Sequence, residues 1–182
     1  MTVTRYFRAV GELHSHAGRK MSLARPASEA KLRKVETEIA SKLPAALREA
    51  WATADGGEES CPVFVRPGYL TGYDFLSIAG SLAERTAMRK RAPRYEGYEG
   101  KKRDRRIRPG WFEPGWLPFA GFGGGTLLLL IDTSPSAKGT RGQVIAFTHD
   151  PDDITWVAKS FDDFLAASLK AFEADADEFL LV

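Results

Sequence analysis

The sequence holds a single cysteine, Cys61, in 182 residues. An intrachain disulfide is therefore excluded, which fits a reducing compartment where thiols stay free. Reactive thiols need an electropositive setting. Cys61 lies between Ser60 and Pro62 in a loop-like stretch without one, so it is not read as a nucleophile. Long hydrophobic runs are also missing. The longest, Leu127 to Ile131, falls far short of the ~20 residues that a membrane-spanning helix needs. Met1 to Gly11 lack an apolar stretch followed by a small-residue cleavage site, so no export signal is expected and the location is read as cytoplasmic. Core-forming residues, by contrast, are plentiful: 43% of the chain is hydrophobic, with eleven Phe and four Trp. A chain of this length buries about 70% of its unfolded surface. One domain is expected, with no metal or cofactor needed to supply a core.

Net charge is also small, at +2, but it is unevenly placed. Glu84 to Arg108 carries eleven Lys or Arg against four acids, while His149 to Val182 carries nine acids against two lysines. Such asymmetry bears on partners more than the total does.

Residues 1–26 show no clear periodicity and read as an N-terminal extension, with His14 and His16 as polar residues on a mobile arm rather than metal ligands. Ser28 suits an N-cap, and Leu32, Val35 and Ile39 follow at helical spacing. Pro44 opens a second helix marked by Leu47, Trp51 and Ala54, which Gly56-Gly57 ends. Pro62 to Arg66 and Thr71 to Phe75 read as short strands. A third helix starts at Ser77 or at Ser81, the latter forming a capping box with Glu84. It stops before Pro93, and residues 93–110 form a polar, basic insert. Thr126 to Ile131 is a strand without alternation, which predicts a central position covered on both faces. Gln143 to Phe147 and Ile154 to Ala158 are further strands, and Ser160 caps a last helix with the stripe Phe161, Phe164, Leu165, Leu169 and Phe172. Helices and strands come in groups, which predicts an α+β domain rather than a parallel α/β sheet.

Three stretches together carry a family pattern. One comprises Glu36, Leu43-Pro44, Trp51 and Asp55-Gly56-Gly57. The next is Trp116-Leu117-Pro118-Phe119-Ala120, then Gly123-Gly124-Gly125 and Leu128 to Asp132. The last is Gly142-Gln143-Val144-Ile145, Phe147, His149-Asp150 and Ser160-Phe161. In order and spacing these resemble the SUKH superfamily, which includes fungal cell-wall-assembly regulators and many bacterial immunity proteins. The resemblance implies a single α+β domain, with a mixed, mostly antiparallel sheet packed against helices, over residues 27–182. It also implies a non-enzymatic binding role, in bacteria typically that of an immunity protein neutralising a toxin encoded by an adjacent gene. Phe122 and Thr126 depart from the pattern, because the family often places an acidic residue ahead of the glycine run and an acidic or amide residue after it.

The residues also suggest other chemistries, each weighed against a plainer reading. The glycine run precedes a strand, whereas phosphate-cradling loops lead into a helix N-terminus. A tight turn is expected instead. His149-Asp150 has the composition of an acid-base pair, yet Ser134, Ser136 and Ser160 lack a nucleophile-elbow context. Asp150, Asp152 and Asp153 flank Pro151 and read as a turn between strands rather than a cation site. The basic run Lys101, Lys102, Arg103, Arg105, Arg106 and Arg108 suits docking of a protein partner. A solvated loop ranks second, and nucleic-acid binding with Tyr95 and Tyr98 as stacking groups ranks third. Trp111 and Phe112, between Gly110 and Pro114, are expected as exposed anchors, while Trp116 and Phe119 are expected in the core. The acidic turn at Asp150, Asp152 and Asp153 is an alternative docking surface. A regulatory scaffold remains the second functional reading.

Overall fold

In a computed structural model, residues 1–69, 71–95, 103–149 and 151–180 are described. Within them lie six α-helices, α1 (Val3–His16), α2 (Glu29–Glu38), α3 (Ala45–Thr53), α4 (Ile78–Arg91), α5 (Phe161–Ala174) and α6 (Ala176–Leu180). The strands are β1 (Pro62–Val65), β2 (Gly72–Phe75), β3 (Trp116–Phe122), β4 (Leu127–Asp132), β5 (Gln143–Thr148) and β6 (Asp153–Ala158). They form one sheet in chain order, each strand antiparallel to the next. The domain is α+β, as expected, and the sheet, expected to be mostly antiparallel, is antiparallel at every pairing. No helix among the described residues is long and apolar enough to cross a membrane.

The unalternating strand explains the layering. All six residues of β4 are buried. Successive strand residues point to opposite faces, so Leu127, Leu129 and Ile131 join one apolar cluster while Leu128 and Leu130 join another. Each fully buried leucine contributes roughly 2 kcal/mol of transfer free energy. On the first face α1, α3 and α5 supply the cover. Phe119 sits there 5.1 Å from Phe161 and 5.5 Å from Phe164, with Phe64 completing an aromatic group in edge-on contacts. Met88 from α4, Ile107, Trp111 and Trp116 cover the second face.

Residues 1–26 correct the expectation of a mobile arm. Thr2 caps α1 by accepting a hydrogen bond from Arg5 N, and Val3, Tyr6, Phe7, Val10 and His14 turn one stripe into the core. The Tyr6 hydroxyl donates to Val63 O at 2.9 Å and lies 2.7 Å from Ser168 Oγ, which accepts from Val65 N at 2.9 Å. One buried relay thus ties α1, β1 and α5 together, and burial pushes the Tyr6 phenol well above its ordinary range. His14 is buried against Pro62 O at 2.8 Å, whereas His16 is exposed. Residues two apart on a helix face different ways, so these two histidines do not converge on a metal.

Helix α4 begins at Ser77, whose Oγ accepts from Gly80 N at 3.1 Å. Ser81 is therefore not the cap; it is inside the helix, and its hydroxyl donates to Pro118 O on β3. Several residues of the family pattern prove to be fasteners around this point. Trp51 Nε1 donates to Leu76 O at 2.9 Å, and Asp55 accepts from Ile78 N at 2.8 Å and from Lys31 Nζ at 2.5 Å. Gly56 has φ +93°, and a Cβ there would lie 2.5 Å from Ser77 N, so only glycine fits. At the start of α5, Ser160 caps as expected, accepting from Asp163 N at 3.1 Å.

At the edge of the sheet, Arg66, one residue past β1, donates to Thr155 Oγ1 on β6 at 2.7 Å and to Thr148 Oγ1 on β5 at 3.4 Å. The first strand is thus joined to the last two by one side chain.

Candidate partner-binding surface

The second face of the sheet has an irregular lid. After α4, a 3-10 turn (Ala92–Tyr95) leads toward the basic insert, which returns across the sheet between Arg103 and Gly115. Two apolar side chains anchor it: Ile107 and Trp111 are both buried. Trp111 is therefore not an exposed anchor. Its ring lies tilted against the Tyr95 ring, with the centres 4.7 Å apart, and fills the lid from below. Phe112 is half-buried beside it, with the Arg85 guanidinium 5.4 Å from its ring centre.

The arginines on this lid are held, not loose. Arg103 donates through Nη1 to Gly110 O and lies 5.0 Å over the Trp111 ring. Arg106 lies 3.5 Å over the Trp156 ring of β6, and its Nε and Nη2 grip Asp104 at 2.9 and 2.6 Å. That two-pronged contact holds the Asp104 carboxyl down at about 2, well below the usual carboxylate range. Burial lowers the pKa of Arg103, against which the nearby Asp153 carboxylate acts. Arg105 is exposed, and its side chain has no partner among the described residues.

The β4–β5 connection buttresses the insert. Ser136 donates its hydroxyl to Arg105 O at 2.5 Å and its N–H to Arg106 O at 3.2 Å. Gln143 Nε2 donates to both Arg106 O and Asp132 Oδ2 at 2.9 Å. Arg108 Nε donates to Pro135 O at 3.2 Å. Lys138, whose N–H donates to the same Ser136 hydroxyl oxygen, is exposed beside Arg105. Sequence reading missed Lys138, because nothing local in Ser134 to Gly142 announces that this turn lies against the insert.

The acidic turn adjoins the same lid. Asp152 lies 2.6 Å from His149 Nδ1 and accepts from the Tyr95 hydroxyl at 3.3 Å, while Asp153 accepts from Ile154 N at 2.8 Å. Tyr95 therefore touches both the insert, through Trp111, and the turn, through Asp152. The two docking surfaces weighed from sequence form one neighbourhood. Lys101, Lys102 and Asp150 lie outside the described residues. The serines weighed as nucleophiles have structural positions: Ser136 bonds to the insert, Ser160 caps α5, and Ser134 packs against Gly115. Among the described residues no group of three or more His, Cys, Asp and Glu is placed to hold a metal ion.

A concavity of about 300 Å³ lies at the glycine run, lined by Glu58, Glu59, Asp74, Ser77, Glu84 and residues 121–125. The run is a tight turn as expected, with Gly123 and Gly124 at φ +63° and Gly125 at φ +82°. A Cβ on Gly125 would meet Glu84 Oε2 at 2.4 Å. Burial raises the Asp74 carboxyl pKa. Phe122, at 51% exposure, is the only exposed large hydrophobic residue among those described.

Comparison with known proteins adds one match. The model of the SMI1/KNR4 family (SUKH-1) aligns with residues 26–167, which takes in α2 through the first half of α5 and leaves α1 outside. A search of curated proteins finds no match.

Proposed function

The chain belongs to the SMI1/KNR4 family (SUKH-1), whose domains serve immunity or protein-interaction roles and are generally non-enzymatic, and from that premise we propose that it is a cytoplasmic immunity protein. It binds a cognate protein toxin, encoded by an adjacent gene, and occludes the toxin's active site. Residues 27–182 act as the binding domain, with residues 1–26 as an addition to it.

One observation carries this reading beyond membership of the family. The charged lid is preorganised: Arg103 and Arg106 are each fixed by a backbone carbonyl or a carboxylate and by an aromatic ring beneath. Ordering a rotamer-rich side chain at an interface costs about 0.5–1.5 kcal/mol, and a surface already fixed avoids most of that cost. A rigid, preformed surface is what steric occlusion requires, since the inhibitor has to hold its shape against the enzyme it covers.

Co-expression with the product of the adjacent gene tests the proposal. The expected result is rescue of growth and a complex that survives purification. A neighbour toxic on its own, with neither rescue nor complex, would remove that pair and shift weight to a regulatory scaffold.

A further inference from the structure

Resting on the immunity reading, we infer that the docking face is the ridge of Arg103, Arg105, Arg106, Arg108 and Lys138, and that the toxin meets it with an acidic surface. Cations gather on one side of the sheet. The insert and the last turn of α4, with Arg89, Lys90 and Arg91, carry positive charge on the second face. On the first face α5 and α6 expose Asp162, Asp163, Glu173, Asp177 and Glu178, while α1 and α2 expose Arg5, Arg8, Lys31, Arg33 and Lys34, so the charge there is mixed. The concentration of cations on the second face draws an acidic partner to the ridge.

The ridge is built across two segments far apart in sequence. Ser136 bonds to Arg105 O and receives the Lys138 N–H, and Arg108 reaches Pro135 O, so the β4–β5 turn sets Lys138 beside the insert. Arg103 and Arg106 form its stiff floor, while Arg105 and Lys138 stand free in water. Free cations on a stiff floor suit carboxylates presented by a folded surface.

Nucleic acid fits less well. Sequence-tolerant binding of it rests on contacts to a regularly spaced phosphate backbone. Single-stranded binders also stack bases on open aromatic faces. Here Tyr95 packs tilted against Trp111, Trp111 is buried beneath Arg103, and Trp156 lies beneath Arg106, so those rings are occupied.

Two double charge reversals test the inference, Arg105→Glu with Lys138→Glu on the ridge and Glu173→Lys with Glu178→Lys on the opposite face. All four side chains are exposed, and circular dichroism checks that both variants fold. The probes are a labelled Glu-rich peptide and an oligothymidylate of equal formal charge, titrated at low salt. The expected result is that the peptide binds, that the ridge reversal weakens it about tenfold or more, and that the opposite-face reversal does not. The inference is overturned if the peptide does not bind, if the ridge reversal leaves its affinity unchanged, or if the oligothymidylate binds as tightly. This arm needs no toxin. Failure of growth rescue with peptide binding intact counts against the immunity reading alone. Rescue that withstands the ridge reversal and is lost on the opposite-face reversal counts against the ridge alone.

Discussion

The two faces of the sheet are covered in different ways. On the first, regular helices interdigitate with the strands, and the contacts are almost wholly apolar, centred on Phe64, Phe119, Phe161 and Phe164. On the second, an irregular segment lies over the strands, and its outer layer is arginine stacked on tryptophan. Close packing of large rings maximises stability, whereas a lid of charged side chains on rings gives up part of that gain and presents a shaped, charged exterior. The family pattern belongs to the frame: Trp51, Asp55 and Gly56 fasten α3 to α4.

Stability measurements should separate the faces. Phe119→Ala removes a fully buried ring from the first face and is expected to cost about 3–5 kcal/mol in denaturant unfolding. A cost below that of lid substitutions would contradict the contrast. Ser168→Ala should cost about 1–3 kcal/mol, because Val65 N–H loses its acceptor in a buried site. On the second face Arg106→Leu is expected to cost no more than about 1 kcal/mol, since the Asp104 pair stands partly in water.

The smallest effect is a pH dependence. Asp104 has its folded pKa depressed to about 2 from an ordinary 3.8. Its contribution is fully present above the ordinary value and is lost as pH falls through the folded one. Unfolding followed from pH 5 to pH 2 should show this acid loss in the native chain, and a smaller one in Arg106→Leu. Equal slopes in both proteins would mean that the pair does not stabilise the lid.

What could be read from the sequence follows the range of the forces involved. Thr126 to Ile131 announced a doubly covered strand because both faces of β4 are apolar, a property of the segment itself. Ser28 and Ser160 announced helix starts because capping is local. Helix α1 escaped notice although Val3, Tyr6, Phe7 and Val10 recur at helical spacing behind Thr2, a favoured cap; what local pattern could not give is that this stripe packs on α5 and β1. Ser81 with Glu84 matched a capping box, but the true cap, Ser77, is set by where Asp55 holds the first turn of α4. Trp111 was misjudged for a related reason. Gly110 and Pro114 mark a loop, and a loop tryptophan is exposed unless the chain folds back over a sheet formed by distant residues. The basic run and the acidic turn were both visible, but their adjacency, through Tyr95, is a tertiary fact.

The relay between Tyr6 and Ser168 has a consequence for how the chain is made. These two residues are 162 positions apart. The meander can zip up hairpin by hairpin as it leaves the ribosome, since each strand pairs with the next. Helix α1 emerges before all of it, yet its partner α5 comes after the last strand. Phe64 and Phe75 can meet Tyr6 and Phe7 early, but the side of α1 that faces α5 waits uncovered through most of synthesis, when nascent chains are prone to aggregate. Folding is completed only when the two helices close over β1, like a clasp fastened last.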